Sequence, residues 1–324
     1  MREIKSLSIV APVYNEEQVI GQFIEQVLSE TKKLSDIRTK IVLVVDRSSD
    51  RTLEVALGRQ NEIDNIVIIE LSSRFGQQPS LLAGIAESLD SDVVITMDSD
   101  LQHPPSKIHE LIKEFLNGAD VVQAIRTNTD RISPLRKFFG NRYYSVISFL
   151  SDKLVDRNSS DFRLISKDVA KILIQEFPES EVFLRGVIPL MGFERRFIYF
   201  AAPKRPAGYS KYSLSRLLKF AISGIVSFSS KPLRLSLHLG MAYAILSFFF
   251  IIYLVVNFLF EKNTPSGWTT TLVVVLLSNT LVFLVLGIIG TYLATVFDEV
   301  KRRPKFIIRK KHTYEKISGR GGSH

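Results

Sequence analysis

The sequence predicts an α/β domain with a mostly parallel sheet, followed by a hairpin of two long apolar helices. In the first part of the chain, short runs rich in Val and Ile alternate with helical patterns, which is typical of a parallel sheet covered by helices on both faces. Charged residues directly follow several of these runs, where such sheets bind their ligands. Further along, the ranges 235–260 and 263–297 contain no Asp, Glu, Lys or Arg, and each is long enough to cross a bilayer.

The first strand is predicted over residues 7–13. Asn15, Glu16 and Glu17 come next and predict a helix start, with Asn15 as the N-cap and the two carboxylates at the positive end of the helix dipole. Apolar residues then recur at helical spacing from Val19 to Leu28, so this helix is expected to bury one face.

The same alternation continues to about residue 126. We expect helices over 48–57, 79–89 and 105–116, and strands over 40–46, 65–71, 92–98 and 120–125. The carboxyl ends of parallel strands meet at one edge of a sheet, and five charged residues fall at such ends: Glu16, Asp46, Asp98, Asp100 and Arg126. The sequence therefore predicts a binding site at this edge.

Two carboxylates, Asp98 and Asp100, follow the fourth strand one residue apart. Alternation along an extended backbone would place both side chains on the same side of the strand, where like charges repel unless a cation lies beside them. With Gln102 they form an oxygen donor set that suits Mg²⁺ or Mn²⁺, whose usual second partner is a phosphate. The competing interpretation is a solvated acidic loop. His103 is expected to pack beside the following prolines rather than to catalyse.

Composition narrows the classes of partner. Lys and Arg outnumber Asp and Glu by 42 to 33, which gives a formal net charge of +9. Because the basic residues cluster beside the apolar runs near the C-terminus, the pattern favours an anionic membrane surface over nucleic acid. The chain has no cysteine, which excludes disulfides, thiolate metal sites and Cys nucleophiles.

Two stretches combine basic residues with aromatic or apolar ones, over about 134–150 and 213–229. Helices of this composition lie in the membrane interface, and the alternative is packing against the soluble core. Residues 156–164 are predicted to form a charged turn before a further helix, and helix capping is one interpretation of Asp161.

These patterns divide the chain into three parts. Residues 1–230 form the α/β domain with the interfacial helices, 231–300 form a transmembrane hairpin with spans of about 235–260 and 270–297, and 301–324 form a basic tail. Lys and Arg lie outside both ends of the hairpin, so the positive-inside rule predicts a multi-pass protein of the inner or plasma membrane with its α/β domain and both termini in the cytoplasm.

Four motifs occur in a fixed order: Pro12-Val13-Tyr14-Asn15-Glu16-Glu17, Asp98-Ser99-Asp100-Leu101-Gln102-His103-Pro104, Ser160-Asp161-Phe162-Arg163 and Gly208-Tyr209-Ser210-Lys211-Tyr212. Together they resemble the inverting glycosyltransferase family 2, whose members have a GT-A fold. Within that family the chain is similar to the polyprenyl-phosphate glycosyltransferases, and the resemblance covers essentially the whole chain.

The resemblance implies a role for each matching position. Pro12, Tyr14, Glu16 and Asp46 would line the nucleotide pocket, and Asp98, Asp100 and Gln102 would hold the Mg²⁺ or Mn²⁺ that bridges the donor phosphates. Arg126 would stabilise the departing diphosphate and Asp161 would be the catalytic base, although an acceptor phosphate that is already ionised needs little deprotonation. The acceptor phosphate would be bound by Arg136, Arg205, Ser210 and Lys211.

The resemblance also implies the reaction and the partners. The enzyme would move a hexose from a nucleotide sugar to polyprenyl phosphate with inversion, for modification of cell-envelope glycans. The resemblance favours glucose as the hexose and a UDP-sugar over a GDP-sugar as the donor. Membrane lipid is a further expected partner, as is a second copy of the chain associated through the membrane helices.

One position departs from the family pattern. The usual Asp-Asp-Gly-Ser at the second strand end is replaced by Val45-Asp46-Arg47-Ser48, so the family's contacts to the nucleobase are not carried over to this position. Two other functions compete: a processive polysaccharide synthase of the same family, and a catalytically idle membrane scaffold or flippase partner. The Gln-x-x-Arg-Trp motif of such synthases has no counterpart at Glu194-Arg195-Arg196-Phe197, and the clustered charges at the fourth strand end disfavour an idle protein.

Overall fold

The alternation expected in the first part of the chain is confirmed. The computed structural model describes residues 2–34, 36–61, 63–127, 159–177, 183–203, 231–261 and 267–313. Its first elements are β1 (Ser6–Val13), α1 (Ile20–Thr31), β2 (Arg38–Val45), α2 (Thr52–Gln60), β3 (Ile66–Leu71), α3 (Gln77–Glu87), β4 (Val93–Thr96), a 3₁₀ turn (Pro105–Lys107), α4 (Ile108–Leu116) and β5 (Val121–Arg126). All five strands and all four helices expected in this region are present, with ends shifted by a few residues.

The later elements are less regular. They are β6 (Ser159–Ser166), α5 (Lys167–Gln175), α6 (Leu184–Leu190), β7 (Arg195–Phe200), the long helices α7 (Lys231–Glu261) and α8 (Trp268–Val300), and β8 (Ile308–His312). The described residues fall into two units, one comprising residues 2–203 and 302–313 and the other residues 231–301. The interfacial helices predicted over 134–150 and 213–229 lie outside the described residues.

The eight strands of the first unit form one sheet in the order β7-β5-β6-β4-β1-β2-β3-β8. The pairs β1–β2, β1–β4, β2–β3 and β5–β7 are parallel, so the mostly parallel sheet is confirmed. Strand β6 is antiparallel to both of its neighbours. Strands β4 and β5 therefore run in the same direction, and their carboxyl ends share one edge of the sheet.

Residues 159–166 form a strand, so the charged turn predicted over 156–164 was wrong for this part. Strand β6 is buried along almost its whole length, although it contains Asp161 and Arg163. These two side chains form an ion pair at 2.9 Å, and each is only 1% exposed. A charged residue can occupy a buried strand when it is paired in this way, and the polar composition of the segment hid the strand.

Both faces of the sheet are covered, as the sequence predicted. Neighbouring residues of a strand face opposite sides of the sheet, and Ile9 and Val10 in β1 are both fully buried. On one face the helix α3 lies close to β1 and β2. Its Gly84 has no side chain, and a Cβ at this position would lie 2.2 Å from Val10 Cγ1 and 3.0 Å from Val44 Cγ2.

Gly84→Ala is expected to destabilise the protein by about 1–3 kcal/mol, because the added methyl group forces α3 away from the sheet. The measurement is the midpoint of thermal unfolding, followed by circular dichroism on the full chain in detergent. Gly58→Ala is the matched control: it lies in α2, where the described part of the chain brings no neighbouring atom within 4 Å of the added Cβ, and it should leave the midpoint unchanged or raise it. Equal midpoints for the two variants would contradict the close packing at Gly84.

The chain returns to the first unit after α8 and adds β8 to the free edge of β3. The amide of Gln60 donates to the carbonyl oxygen of His312 at 2.6 Å, Arg309 pairs with Glu70 at 3.0 Å, and Lys311 pairs with Glu87. The basic tail predicted over 301–324 therefore contains a strand of the sheet, which the sequence analysis did not anticipate.

The helices of the second unit contain two candidate membrane spans, Ser236–Tyr253 and Thr271–Val300, by length and composition. Their large apolar side chains are exposed, for example Leu246 at 68% and Phe283 at 72%. A core helix of a water-soluble domain would bury such side chains, so this pattern is typical of helices that contact lipid.

Candidate active site

The acidic pair lies in a turn beyond the end of β4. The strand ends at Thr96, and Leu101 has a left-handed backbone with φ +61°. The alternation argument for Asp98 and Asp100 was therefore wrong, because neither residue belongs to the strand. Their carboxylates are nevertheless electrostatically close: burial is the largest of the effects that raise the pKa of Asp98 to about 7, and the Asp161 and Asp100 carboxylates contribute to the same rise.

His103 supports this turn from behind. The backbone N–H of Asp98 donates to His103 Nδ1 at 2.8 Å, and the imidazole is stacked on Phe162, with ring centroids 5.2 Å apart. Burial lowers the pKa of His103 to about 4, so the ring is neutral near pH 7 and Nδ1 can accept this hydrogen bond. His103 thus packs against an aromatic ring and orients the backbone at Asp98, and the expected packing beside the prolines stays a prediction.

Asp161 is the centre of a buried ionic network. It is 1% exposed, and its Oδ1 accepts from Arg163 Nη2 at 2.9 Å and from Arg185 Nε at 3.1 Å. Its Oδ2 accepts from Arg185 Nη2 at 2.9 Å and from the amides of Gln77 and Gln78 at 3.2 Å each. Burial alone would raise the pKa of Asp161, but the Arg185 and Arg163 guanidinium groups lower it below its usual range.

Three residues of this network, Gln77, Gln78 and Arg185, were missed by the sequence analysis. The two glutamines begin α3 after the carboxyl end of β3, so the strand-end rule that identified Asp98 could also have identified them. Arg185 lies in α6, far from the acidic motif in the sequence, and only the fold brings it to Asp161.

Gln102 and Arg126 contact each other at the edge of the acidic pair. Arg126 Nη1 donates to Gln102 Oε1 at 3.5 Å, and the backbone N–H of Gln102 donates to Asp100 Oδ1 at 3.1 Å. Among the described residues, nothing accepts from the buried Nε of Arg126. A buried guanidinium N–H without an acceptor among these residues, near the turn that carries Asp100, is suited to an anion that arrives together with a cation.

The donor set fits a divalent cation that shares its coordination with a ligand. Within the described ranges, no group of three or more His, Cys, Asp or Glu side chains could enclose a metal. Mg²⁺ and Mn²⁺ commonly bind through one or two carboxylates plus substrate phosphates, and Asp98 and Asp100 supply such a pair. A divalent cation would offset the two negative charges of a diphosphate diester, so the two could enter the site together without changing its net charge.

The loop after β1 forms the neighbouring part of the site. The guanidinium of Arg74 lies 4.2 Å from the centroid of the Tyr14 ring, and the carbonyl oxygen of Pro12 accepts from Ser99 Oγ at 3.0 Å. The backbone N–H of Glu16 donates to Thr52 Oγ1 at 2.9 Å. Of the residues predicted to line a nucleotide pocket, Pro12 thus contacts the turn that carries the acidic pair.

Asn15 does not cap α1, contrary to the prediction. The helix begins at Ile20, with Val19 at the N-cap, and Asn15 has a left-handed backbone with φ +53°, which asparagine adopts more readily than most residues. Its side-chain oxygen accepts from the Ser49 N–H at 2.9 Å. Asn15 therefore joins the loop after β1 to the loop after β2.

The side chain of Asp46 contacts the loop between β3 and α3. It is 3% exposed, and its carboxylate accepts from the N–H groups of Phe75 at 2.9 Å, Gly76 at 2.8 Å and Arg47 at 3.1 Å. These bonds hold the loop between β3 and α3, which leads directly into Gln77. The position of Asp46 at a strand end is as predicted, but its described contacts are to backbone.

Asp46→Ala is expected to loosen this loop, because it leaves buried backbone N–H groups without acceptors, at a cost of about 1–3 kcal/mol. Hydrogen exchange followed by mass spectrometry should show faster exchange in peptides that cover residues 72–76, with little change in those that cover β1. Asp64→Ala, at an exposed position, is the control. Unchanged protection of the 72–76 peptides would show that Asp46 does not hold the loop.

The predicted acceptor residues Arg136, Arg205, Ser210 and Lys211 lie outside the described residues. The described part of the site therefore consists of the acidic pair, the network around Asp161, Arg126, and the loops after β1, β2 and β3. This arrangement can hold a cation and a diphosphate side by side at one edge of the sheet.

Comparison with known proteins identifies the class of site. The profile of the family described as Glycosyl transferase family 2 matches residues 8–173, and this range contains all the described site residues except Arg185. The uncharacterized glycosyltransferase YkcC of Bacillus subtilis is 33% identical over 312 residues, covering 95% of this chain and 94% of the relative. The SfII prophage-derived bactoprenol glucosyl transferase of Shigella flexneri is 31% identical over 306 residues, covering 94% of this chain and 98% of the relative.

A more distant likeness exists among solved structures. Glucosyl-3-phosphoglycerate synthase from Mycobacterium tuberculosis, in complex with Mn²⁺, UDP and phosphoglyceric acid, has a TM-score of 0.49 and 16% identity, covering 68% of this chain and 76% of that chain. The profile match and the full-length relatives confirm the resemblance inferred from the ordered motifs. The α/β sheet with its acidic strand end is thus the GT-A domain of a glycosyltransferase, and the chain belongs to glycosyltransferase family 2.

Proposed function

We propose that this protein transfers glucose from UDP-glucose to a polyprenyl phosphate, with inversion at the anomeric carbon, for use in cell-envelope glycans. The observation that carries the proposal is the extent of the similarity to the bactoprenol glucosyl transferase of Shigella flexneri, which covers 94% of this chain. The match therefore includes both the acidic site and the apolar helices, which together suit a soluble donor and a lipid acceptor.

The donor would bind at the acidic pair. Asp98 and Asp100 would hold Mg²⁺ or Mn²⁺, and the bound ion would supply positive charge to the departing nucleoside diphosphate. Arg126, whose Nε has no acceptor among the described residues, would donate to the same phosphates. Gln102 would orient Arg126 through its side-chain oxygen, and its contact with Arg126 supports this role over direct metal binding. Pro12, Tyr14, Glu16 and Asp46 would shape the nucleotide pocket.

The role proposed for Asp161 is to position charged groups. Its carboxylate has five donor contacts and a lowered pKa, which do not suit a proton acceptor. A polyprenyl phosphate has a second pKa of about 6, so it reaches the site largely ionised near neutral pH. Asp161 would instead hold Arg163 and Arg185 beside the reacting groups.

The acceptor phosphate would be bound by Arg136, Arg205, Ser210 and Lys211. The guanidinium fork of an arginine can bind a phosphate through two parallel hydrogen bonds, and lysine adds a point charge. These assignments follow from the family resemblance, since the residues lie outside the described part of the chain.

The protein would be embedded in the inner or plasma membrane with its GT-A domain in the cytoplasm. Strand β8 follows α8 and belongs to the same sheet as β1, so the chain must cross the bilayer an even number of times between them. Two spans satisfy this requirement. The basic residues after α8, including Arg302 and Arg303, favour the cytoplasmic side.

A transfer assay tests the proposal. The full chain, purified in detergent, is incubated with undecaprenyl phosphate, Mn²⁺ and radiolabelled UDP-glucose, UDP-N-acetylglucosamine or GDP-mannose, and the label that enters the organic phase is measured. We expect UDP-glucose to give a lipid that carries a single sugar, and chelation of the metal to stop the reaction. A polymeric product would replace the proposal with a processive synthase. A protein that neither transfers nor hydrolyses any of the donors would be a scaffold.

A further inference from the structure

Gln77 contacts two carboxylates of the site at once. It is the first residue of α3, and its Nε2 lies 2.7 Å from Asp98 Oδ1 and 3.2 Å from Asp161 Oδ2. A side-chain amide nitrogen carries two hydrogens, so one N–H can be donated to each aspartate. Gln77 thus links the acidic turn after β4 to the buried network in β6.

A neutral donor is suited to this position. The two aspartates repel each other, and an amide satisfies an oxygen of each without changing the charge of the site. A cation at the same place would pair with Asp98 and repel a metal ion bound there. The amide therefore fixes the direction of the Asp98 carboxylate and leaves its negative charge for a metal.

The neighbouring glutamine has a different set of contacts. Gln78 Nε2 donates to Asp161 Oδ2 at 3.2 Å, and its Oε1 accepts from the backbone N–H of Leu184 at 3.1 Å. It thus joins Asp161 to the start of α6, and no hydrogen bond joins it to Asp98 among the described residues. The pair offers two adjacent amides of equal size, of which one is bonded to the acidic turn.

We propose that Gln77 is a positioning residue that orients Asp98 for a divalent cation, whereas Gln78 serves the fold around Asp161. The inference rests on the proposed function, because it takes Asp98 as a metal ligand. Hydrogen bonds from residues outside the coordination shell orient the ligands, and their loss typically lowers metal affinity about 10- to 100-fold. The Gln77 side chain is exposed apart from its amide contacts, so methionine can replace it without opening a cavity.

The test is Mn²⁺ binding to the full chain in detergent, in the presence of UDP, measured from the free-ion signal by electron paramagnetic resonance. We expect Gln77→Met to raise the Kd for Mn²⁺ about 10-fold or more, and Gln78→Met to leave it within about twofold of wild type. The transfer rate of Gln77→Met should recover at saturating Mn²⁺, since the loss is in metal affinity.

The possible results separate this inference from the proposed function. An unchanged Kd in Gln77→Met, with tight binding in the wild type, would overturn the inference and leave the proposed function intact. An equal loss in both variants would also overturn it, because it would indicate general loosening of the start of α3. Absence of Mn²⁺ binding in a wild-type protein that still transfers glucose would overturn both the metal assignment and the role of Gln77.

Discussion

Asp98→Asn is expected to reduce glucosyl transfer by about 10³-fold or more while the protein stays folded. The substitution keeps the size of the side chain and removes one of the two anionic ligands proposed for the metal. A bound divalent ion contributes several kcal/mol of charge stabilisation in the transition state, and each 1.36 kcal/mol corresponds to a factor of ten in rate. Asp100→Ala should have a similar effect, and a near-normal rate in either variant would remove that residue from the metal site.

The same substitution should not lower stability. The pKa of Asp98 is raised from 3.8 to about 7 in the folded protein, so the folded state holds this proton more tightly than the unfolded state does. In the metal-free protein, the contribution of Asp98 to stability therefore falls as the pH rises from about 4 to about 7. Asparagine does not ionise, so at pH 8 the metal-free variant should unfold at the same temperature as the wild type or at a higher one.

Measuring thermal unfolding together with the transfer rate distinguishes the loss of a metal-binding side chain from the loss of the folded structure. Asp90→Asn is the control, because this carboxylate is 72% exposed and pairs with Lys40 at the surface, where an ion pair contributes little. Loss of activity together with a lower unfolding temperature in Asp98→Asn would show that the residue is needed for folding.

Asp161→Asn is expected to have the largest effect on stability, about 3–5 kcal/mol, because it leaves the guanidinium of Arg163 buried without its carboxylate. Arg163 is 1% exposed, and burial lowers its pKa to about 10, so it is already held in an unfavourable environment. Arg185 would keep at most one of its two hydrogen bonds to this side chain, because the amide NH₂ of asparagine cannot accept. The variant should unfold at a much lower temperature than Asp90→Asn.

This experiment also separates the two roles considered for Asp161. A catalytic base would lose activity with little change in the unfolding midpoint, whereas a positioning residue at the centre of an ionic network would lose both. A stable Asp161→Asn protein with no transfer activity would restore the role of base. A stable and active one would exclude both roles.

The strands that were predicted correctly are those whose own residues are apolar or β-branched, so that their burial can be recognised from the local sequence. Ile41 to Val45 and Val93 to Thr96 are apolar or β-branched throughout, and such runs have few alternatives to a buried strand. Strand β6 was missed because the charges of Asp161 and Arg163 are neutralised by partners, and the local sequence does not show those partners. Strand β8 was missed for a similar reason, since its pairing with β3 joins residues more than 200 positions apart.

The same distinction applies to the site. Residues at or just after strand ends, such as Arg126 and Asp98, could be located because the edge of a parallel sheet is implied by the alternation of elements. The orientation of a carboxylate could not be predicted in the same way. Asp46 occupies the predicted place but accepts from the backbone of Phe75 and Gly76, and this depends on a loop whose course is set by the whole fold.

The late position of β8 in the chain sets an order for biogenesis. Until residues 308–312 have left the ribosome, the outer edge of β3 has no strand beside it, and both apolar helices are synthesised before that point. The apolar helices are therefore made before the sheet can be completed, and a nascent chain arrested within them would expose an open edge of β3 that is prone to aggregation. A version of the domain without the apolar helices would have to carry residues 302–313 spliced back on, since truncation before α7 also removes an edge strand.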